Sequence, residues 1–65
     1  MNTKYYKKYK RKLVRLENRD ASIAETVTYL MRLERHKDKM YDSEYQNLVD
    51  RANYYIEYTK RRLNI

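Results

Sequence analysis

The chain has 65 residues, 42% hydrophobic and 38% charged, with 16 Lys or Arg against nine Asp or Glu, a formal net charge of +7. With zero Cys, zero Gly, zero Pro and one His, it has no means of building disulfide staples, multi-histidine metal sites or glycine-rich phosphate loops, and it lacks the Gly and Pro that usually form tight β-turns. Nine Tyr and the hydrophobic share are too much for a typical disordered segment, so an all-α chain of helices joined by short polar turns is expected.

The first periodic segment covers residues 3–18. At about 100° per residue, Tyr6, Tyr9, Leu13 and Leu16 share one side with Tyr5 flanking, while Lys4, Lys8, Arg11, Lys12, Arg15 and Arg19 line the opposite side. Residues 17–21 make the first turn, where Asn18 can take the left-handed cap that Gly usually supplies. The second segment, residues 22–38, opens on a capping box in which Ser22 caps the first-turn amides and Glu25 reaches back. Its apolar side is Ile23, Val27, Leu30, Met31 and Leu33, with Glu34 on the rim. Tyr29, Arg32 and His36 lie along another side, away from that arc.

The third segment, residues 43–63, has the clearest pattern. Tyr45, Leu48, Val49, Ala52, Tyr55, Ile56, Thr59 and Leu63 recur at three- and four-residue spacing. Ser43 and Gln46 read as a second capping box, and Lys60, Arg61 and Arg62 sit in the last turn, where cations complement the helix dipole. The three segments predict one small domain over residues 1–65, a three-helix bundle with a basic N-terminal helix. The alternative is a helical hairpin of the last two segments that dimerises, with the first segment docking only when a partner arrives. A core of this size rarely supplies more than ~3–5 kcal/mol, and with neither disulfide nor metal to add, a homodimer is expected.

Charge is divided unevenly along the chain. Residues 1–19 hold eight Lys or Arg and one acid, Glu17, for a net +7, whereas residues 20–65 hold eight basic and eight acidic residues, for a net zero. Cations near a helix N-terminus and like charges four residues apart both oppose helix formation, so a stripe kept in spite of them points to an anionic partner. As a helix it extends ~22 Å, enough to face successive phosphates. The expected function is therefore nucleic-acid association: Lys4, Lys8, Arg11, Lys12, Arg15 and Arg19 contact a DNA or RNA phosphate backbone without strong sequence preference. A merely solubilising stripe, an acidic protein and an anionic membrane surface are the competing explanations.

A second expectation concerns the aromatics. Tyr54 and Tyr58 fall opposite the core arc of the third segment beside Arg51 and Arg61, and Tyr29 and Arg32 make a smaller patch on the second. Exposed Tyr and Arg are the residues of interface hot spots, which suits docking on a larger host protein; tyrosines that cover helix seams would explain the same pattern. Catalysis and cofactors are not expected. His36 stands alone, Ser22 and Ser43 are absorbed as caps, and the carboxylates occur singly among Lys and Arg. The longest uncharged stretch, residues 26–31, is far below the roughly 20 apolar residues of a membrane span, and no signal-peptide run follows the basic start, so a cytoplasmic protein is the default. In composition, a short, basic, Gly-free helical chain rich in Lys, Asn, Tyr and Ile resembles accessory proteins of bacteriophages and other mobile elements, a resemblance that carries no motif.

Overall fold

The computed structural model describes residues 3–64. Along them run α1 (Lys4–Asn18), α2 (Ile23–Arg35), a 3-10 turn (Lys37–Lys39) and α3 (Asp42–Leu63), and each α-helix packs on the other two as a small helical bundle. None of the described helices is long and apolar enough to cross a membrane.

One buried cluster joins the helices. Tyr9, Leu13 and Leu16 come from α1, Tyr29 and Leu33 from α2, and Leu48 and Ala52 from α3, with Ala21 and Met40 entering from the two connections. The faces expected of α1 and α3 are buried or half-buried except at the end of α3, where Leu63, expected on the core face, is 56% exposed. Each fully buried Leu contributes ~1.5–3 kcal/mol relative to exposure, so Leu13, Leu33 and Leu48 are the principal anchors.

The inward face of α2 is rotated from expectation. Thr26, Tyr29 and Leu33 are buried, whereas Val27 and Met31 are 42% and 58% exposed. Polarity that is satisfied by backbone carbonyls explains the rotation. The Thr26 hydroxyl donates to the Ser22 carbonyl at 3.1 Å, and the Tyr29 hydroxyl donates to the Tyr9 carbonyl at 2.9 Å. With their polar atoms paired, these two side chains carry apolar bulk inward at no desolvation penalty. The Tyr29 ring also meets Tyr9 edge-on, at a centroid distance of 5.8 Å.

The connections likewise depart from the expected caps. α1 ends in a Schellman motif: Asp20 N–H donates to the Glu17 carbonyl at 3.3 Å and Ala21 N–H to the Leu16 carbonyl at 2.9 Å. The left-handed residue is Asp20, at φ 53°, and not Asn18. Ser22 caps α2 as expected, its hydroxyl accepting from Glu25 N–H at 3.2 Å, but the Glu25 carboxylate turns to Arg19. α2 stops at Arg35, and the 3-10 turn takes up residues that were expected to continue it. α3 begins before Ser43: Tyr41 is its N-cap, and Tyr41 N–H donates to Glu44 Oε1 at 3.1 Å. Gln46 donates instead to Asp50, at 2.8 Å.

Candidate functional site

Burial of Tyr9, Leu13 and Leu16 turns the opposite side of α1 to solvent. Lys4, Lys7, Lys8, Lys10, Arg11, Arg15 and Arg19 are exposed there, and Lys12 is half-buried. The helix gains nothing locally from this arrangement. Its first turn contains no acid, Thr3 makes no side-chain cap, and Arg15 alone is a cation in the last turn.

Ion pairs leave most of these cations unneutralised. Arg19 meets Glu25 at 2.8 Å, with side chains 59% and 47% exposed, so the pair is worth little in water. Lys7, Lys8, Lys10, Arg11, Lys12 and Arg15 form no ion pair among the described residues. Three of them lean on tyrosine rings instead: Lys8 over Tyr5 at 6.0 Å, Lys10 over Tyr6 at 5.8 Å and Lys12 over Tyr9 at 5.1 Å. Cation–π contact of this kind holds the charge at the surface without cancelling it.

The cations face two concavities. A cleft of about 380 Å³ between α1 and α2 is floored by Tyr9, Leu16 and Tyr29 and bordered by Lys12, Arg15, Arg19 and Arg32, with Thr28 and the single acid Glu25. A shallower depression of about 450 Å³ on the outer side of α1 is formed by Lys7, Lys10, Arg11, Val14 and Arg15. Arg15 borders both, so the two surfaces are continuous around the helix. Burial pushes the Tyr29 hydroxyl far above its ordinary ionisation range, with Tyr9 adding to the effect, so the floor of the cleft stays neutral beneath its cations.

At the other end of α2 the Tyr9 hydroxyl lies 2.9 Å from His36 Nδ1, and the Arg32 carbonyl lies 3.1 Å from the same nitrogen. Tyr5 stacks on the His36 ring at 5.4 Å. These contacts tie the start of α1 to the end of α2 and so fix the orientation of the cationic face.

No protein-family model, curated protein or solved structure matches the chain.

Of the residues expected to touch phosphate, Lys12, Arg15 and Arg19 meet at the cleft, Arg11 and Arg15 share the outer depression, and Lys4 and Lys8 are exposed on the same helix. Lys7 and Lys10 join them, because cations lie on both flanks of the exposed side of α1 and not in one stripe. Arg32, expected in a protein interface, instead faces the α1 cations across the cleft. Spacing within α2 placed Arg32 away from the apolar arc but could not say which neighbour it would face.

The expected aromatic surface divides. Tyr29 is 5% exposed and belongs to the core, so it is removed from that surface. Arg51 is committed internally: its guanidinium donates to both Glu17 carboxylate oxygens, at 3.0 and 2.8 Å, and this hydrogen bonding holds its proton more tightly. Tyr54 and Tyr58, 73% and 50% exposed, remain together with Arg61 around a depression that Asp50, Asn53 and Glu57 complete. Among the described residues no group of three or more His, Cys, Asp or Glu is placed to hold a metal ion.

Proposed function

We propose that the chain binds nucleic acid through the phosphate backbone, with α1 as the contacting helix and Arg32 of α2 as an added contact. The observation that carries this reading is the absence of acidic partners for Lys7, Lys8, Lys10, Arg11, Lys12 and Arg15, set against the ion-paired state of Arg19, Arg51, Lys60 and Arg62. Arg32, Arg35, Lys37, Lys39 and Arg61 also form no ion pair among the described residues, but α1 gathers six such cations on one helix. A phosphate backbone presents anions at a spacing that a helix of this length can match, and release of condensed counterions drives the association. Neither a reaction nor a cofactor is part of the proposal.

The test is the salt dependence of binding to a short duplex and to a single strand, read by fluorescence anisotropy. Engaging about five phosphates gives a log–log slope of about −4.5 on duplex DNA, and Lys8→Glu combined with Arg11→Glu lowers its magnitude to about 2.7. Binding that ignores salt, or none at about 50 mM salt, overturns the proposal.

Tyr54 favours a second, separate contact. Among the described residues it is the most exposed of the large hydrophobic side chains and lies with Tyr58 and Arg61 on α3, which suits a protein partner. Retention of a protein from nuclease-treated lysate by the native chain, and its loss with Tyr54→Ala plus Tyr58→Ala, would support that contact. Loss of all partners on nuclease treatment would remove it.

A further inference from the structure

The crest of α1, directly opposite its buried side, is not uniformly cationic. Lys7, Arg11, Val14 and Asn18 follow one another along it at spacings of four, three and four residues, a line ~16 Å long. Val14 is the exception in chemistry. It is half-buried, lies outside the core cluster, and sits in the depression formed with Lys7, Lys10, Arg11 and Arg15. A β-branched residue is a poorer helix former than Ala, Lys or Arg, so neither helix propensity nor core packing accounts for Val at this position.

We propose that α1 lies in the major groove of duplex DNA, with Val14 against the C5-methyl group of a thymine and Arg11 and Asn18 at neighbouring base edges. This rests on the nucleic-acid reading above and adds to it the form of the nucleic acid and the groups that read it. A helix with its side chains is ~10–12 Å across and the major groove is ~12 Å wide, so cations on both flanks of α1 reach the phosphates of the two bordering strands. Lys12 and Arg15 lie on the α2 flank and Lys10 on the other. The crest residue types match the chemistry of that groove: an apolar side chain for the thymine methyl, Arg for guanine O6 and N7, Asn for adenine N6 and N7. Duplex RNA does not accept the helix, because its major groove is deep and narrow.

The thymine methyl can be deleted without changing the charge of the DNA. Three duplexes of roughly 20 base pairs serve as probes: alternating dA and dT, the same sequence with every dT replaced by dU, and the RNA equivalent, titrated by anisotropy at about 50 mM salt. One buried methyl group makes the dT duplex bind about fourfold more tightly than the dU duplex. Val14→Ala abolishes that ratio while its helical circular dichroism is at least that of the native chain, and Lys8→Ala weakens both DNA duplexes equally and leaves the ratio intact. The RNA duplex binds at least about tenfold more weakly than the dT duplex. Equal binding of the dT and dU duplexes by the native chain, a ratio that survives Val14→Ala, or RNA bound as tightly as DNA each overturns the groove assignment while phosphate binding stands. Failure to bind any of the three overturns the groove assignment, and overturns the phosphate-binding reading as well when single-stranded DNA is also unbound.

Discussion

Two fully buried threonines form a matched pair that tests the packing directly. Thr26 and Thr59 are 0% and 1% exposed; the Thr26 hydroxyl donates to the Ser22 carbonyl at 3.1 Å, while the Thr59 hydroxyl has no hydrogen-bond partner among the described residues. Replacing either by Val keeps the β-branch and removes the hydroxyl. At position 59 the change removes a group that lost its water on folding and gained nothing, a penalty of ~1–3 kcal/mol; taking the lower end, Thr59→Val stabilises by ~1 kcal/mol. At position 26 a hydrogen bond is lost, but the Ser22 carbonyl still accepts Thr26 N–H at 3.1 Å, so no buried acceptor is orphaned. Thr26→Val therefore destabilises by only ~0.5–1 kcal/mol. For a chain of this size 1 kcal/mol moves Tm by roughly 4–8 °C, so the two variants separate clearly in thermal and urea denaturation followed by circular dichroism. A fall in Tm for Thr59→Val, or equal shifts in the same direction for both, would refute the reasoning.

Other substitutions test the orientation of the helices and of the cleft. Val27→Ser and Met31→Ser, on the exposed flank of α2, change stability by less than ~0.5 kcal/mol, whereas Leu33→Ala costs ~2–5 kcal/mol by urea denaturation, because Leu33 is fully buried. Tyr29→Phe removes the hydroxyl that donates to the Tyr9 carbonyl and costs ~1 kcal/mol at neutral pH. Burial raises the Tyr29 hydroxyl above its ordinary 10.0, so its share of stability is complete below pH 10.0 and is lost as pH rises beyond it; urea midpoints should fall less steeply there in Tyr29→Phe than in the native chain. Arg32→Ala weakens duplex binding about equally across sequences and lowers the salt slope by about one, while a sequence-dependent loss would place Arg32 at base edges.

The faces of α1 and α3 were legible in the sequence because most of their inward positions are Leu, Ile, Ala and Tyr at three- and four-residue spacing, so hydrophobicity and burial agree there except at Thr59, polar but buried, and Leu63, apolar but exposed at the helix end. On α2 they disagree. Thr26 and Tyr29 look polar or amphipathic until the carbonyls that pair with them are known, and those carbonyls belong in part to another helix. Ser43 looked like a cap because it carries a hydroxyl, yet the start of α3 relies on a backbone N–H and Glu44, which leave no residue-type signal at the cap itself. Counting charges along the chain was enough to find the cationic helix. Placing Arg32 beside it required knowing which flank of α2 meets α1, and the loss of Arg51 to Glu17 depends on a contact 34 positions apart. Periodicity within one helix carries neither fact.

The most direct test of the phosphate-binding face is the mass of the chain by light scattering, with and without a short DNA duplex, at low and high salt. At about 50 mM salt the duplex should yield a protein–DNA complex that dissociates at about 500 mM, and the mass of the free chain counts its subunits in the same experiment. A mass unchanged by DNA at low salt would contradict the account.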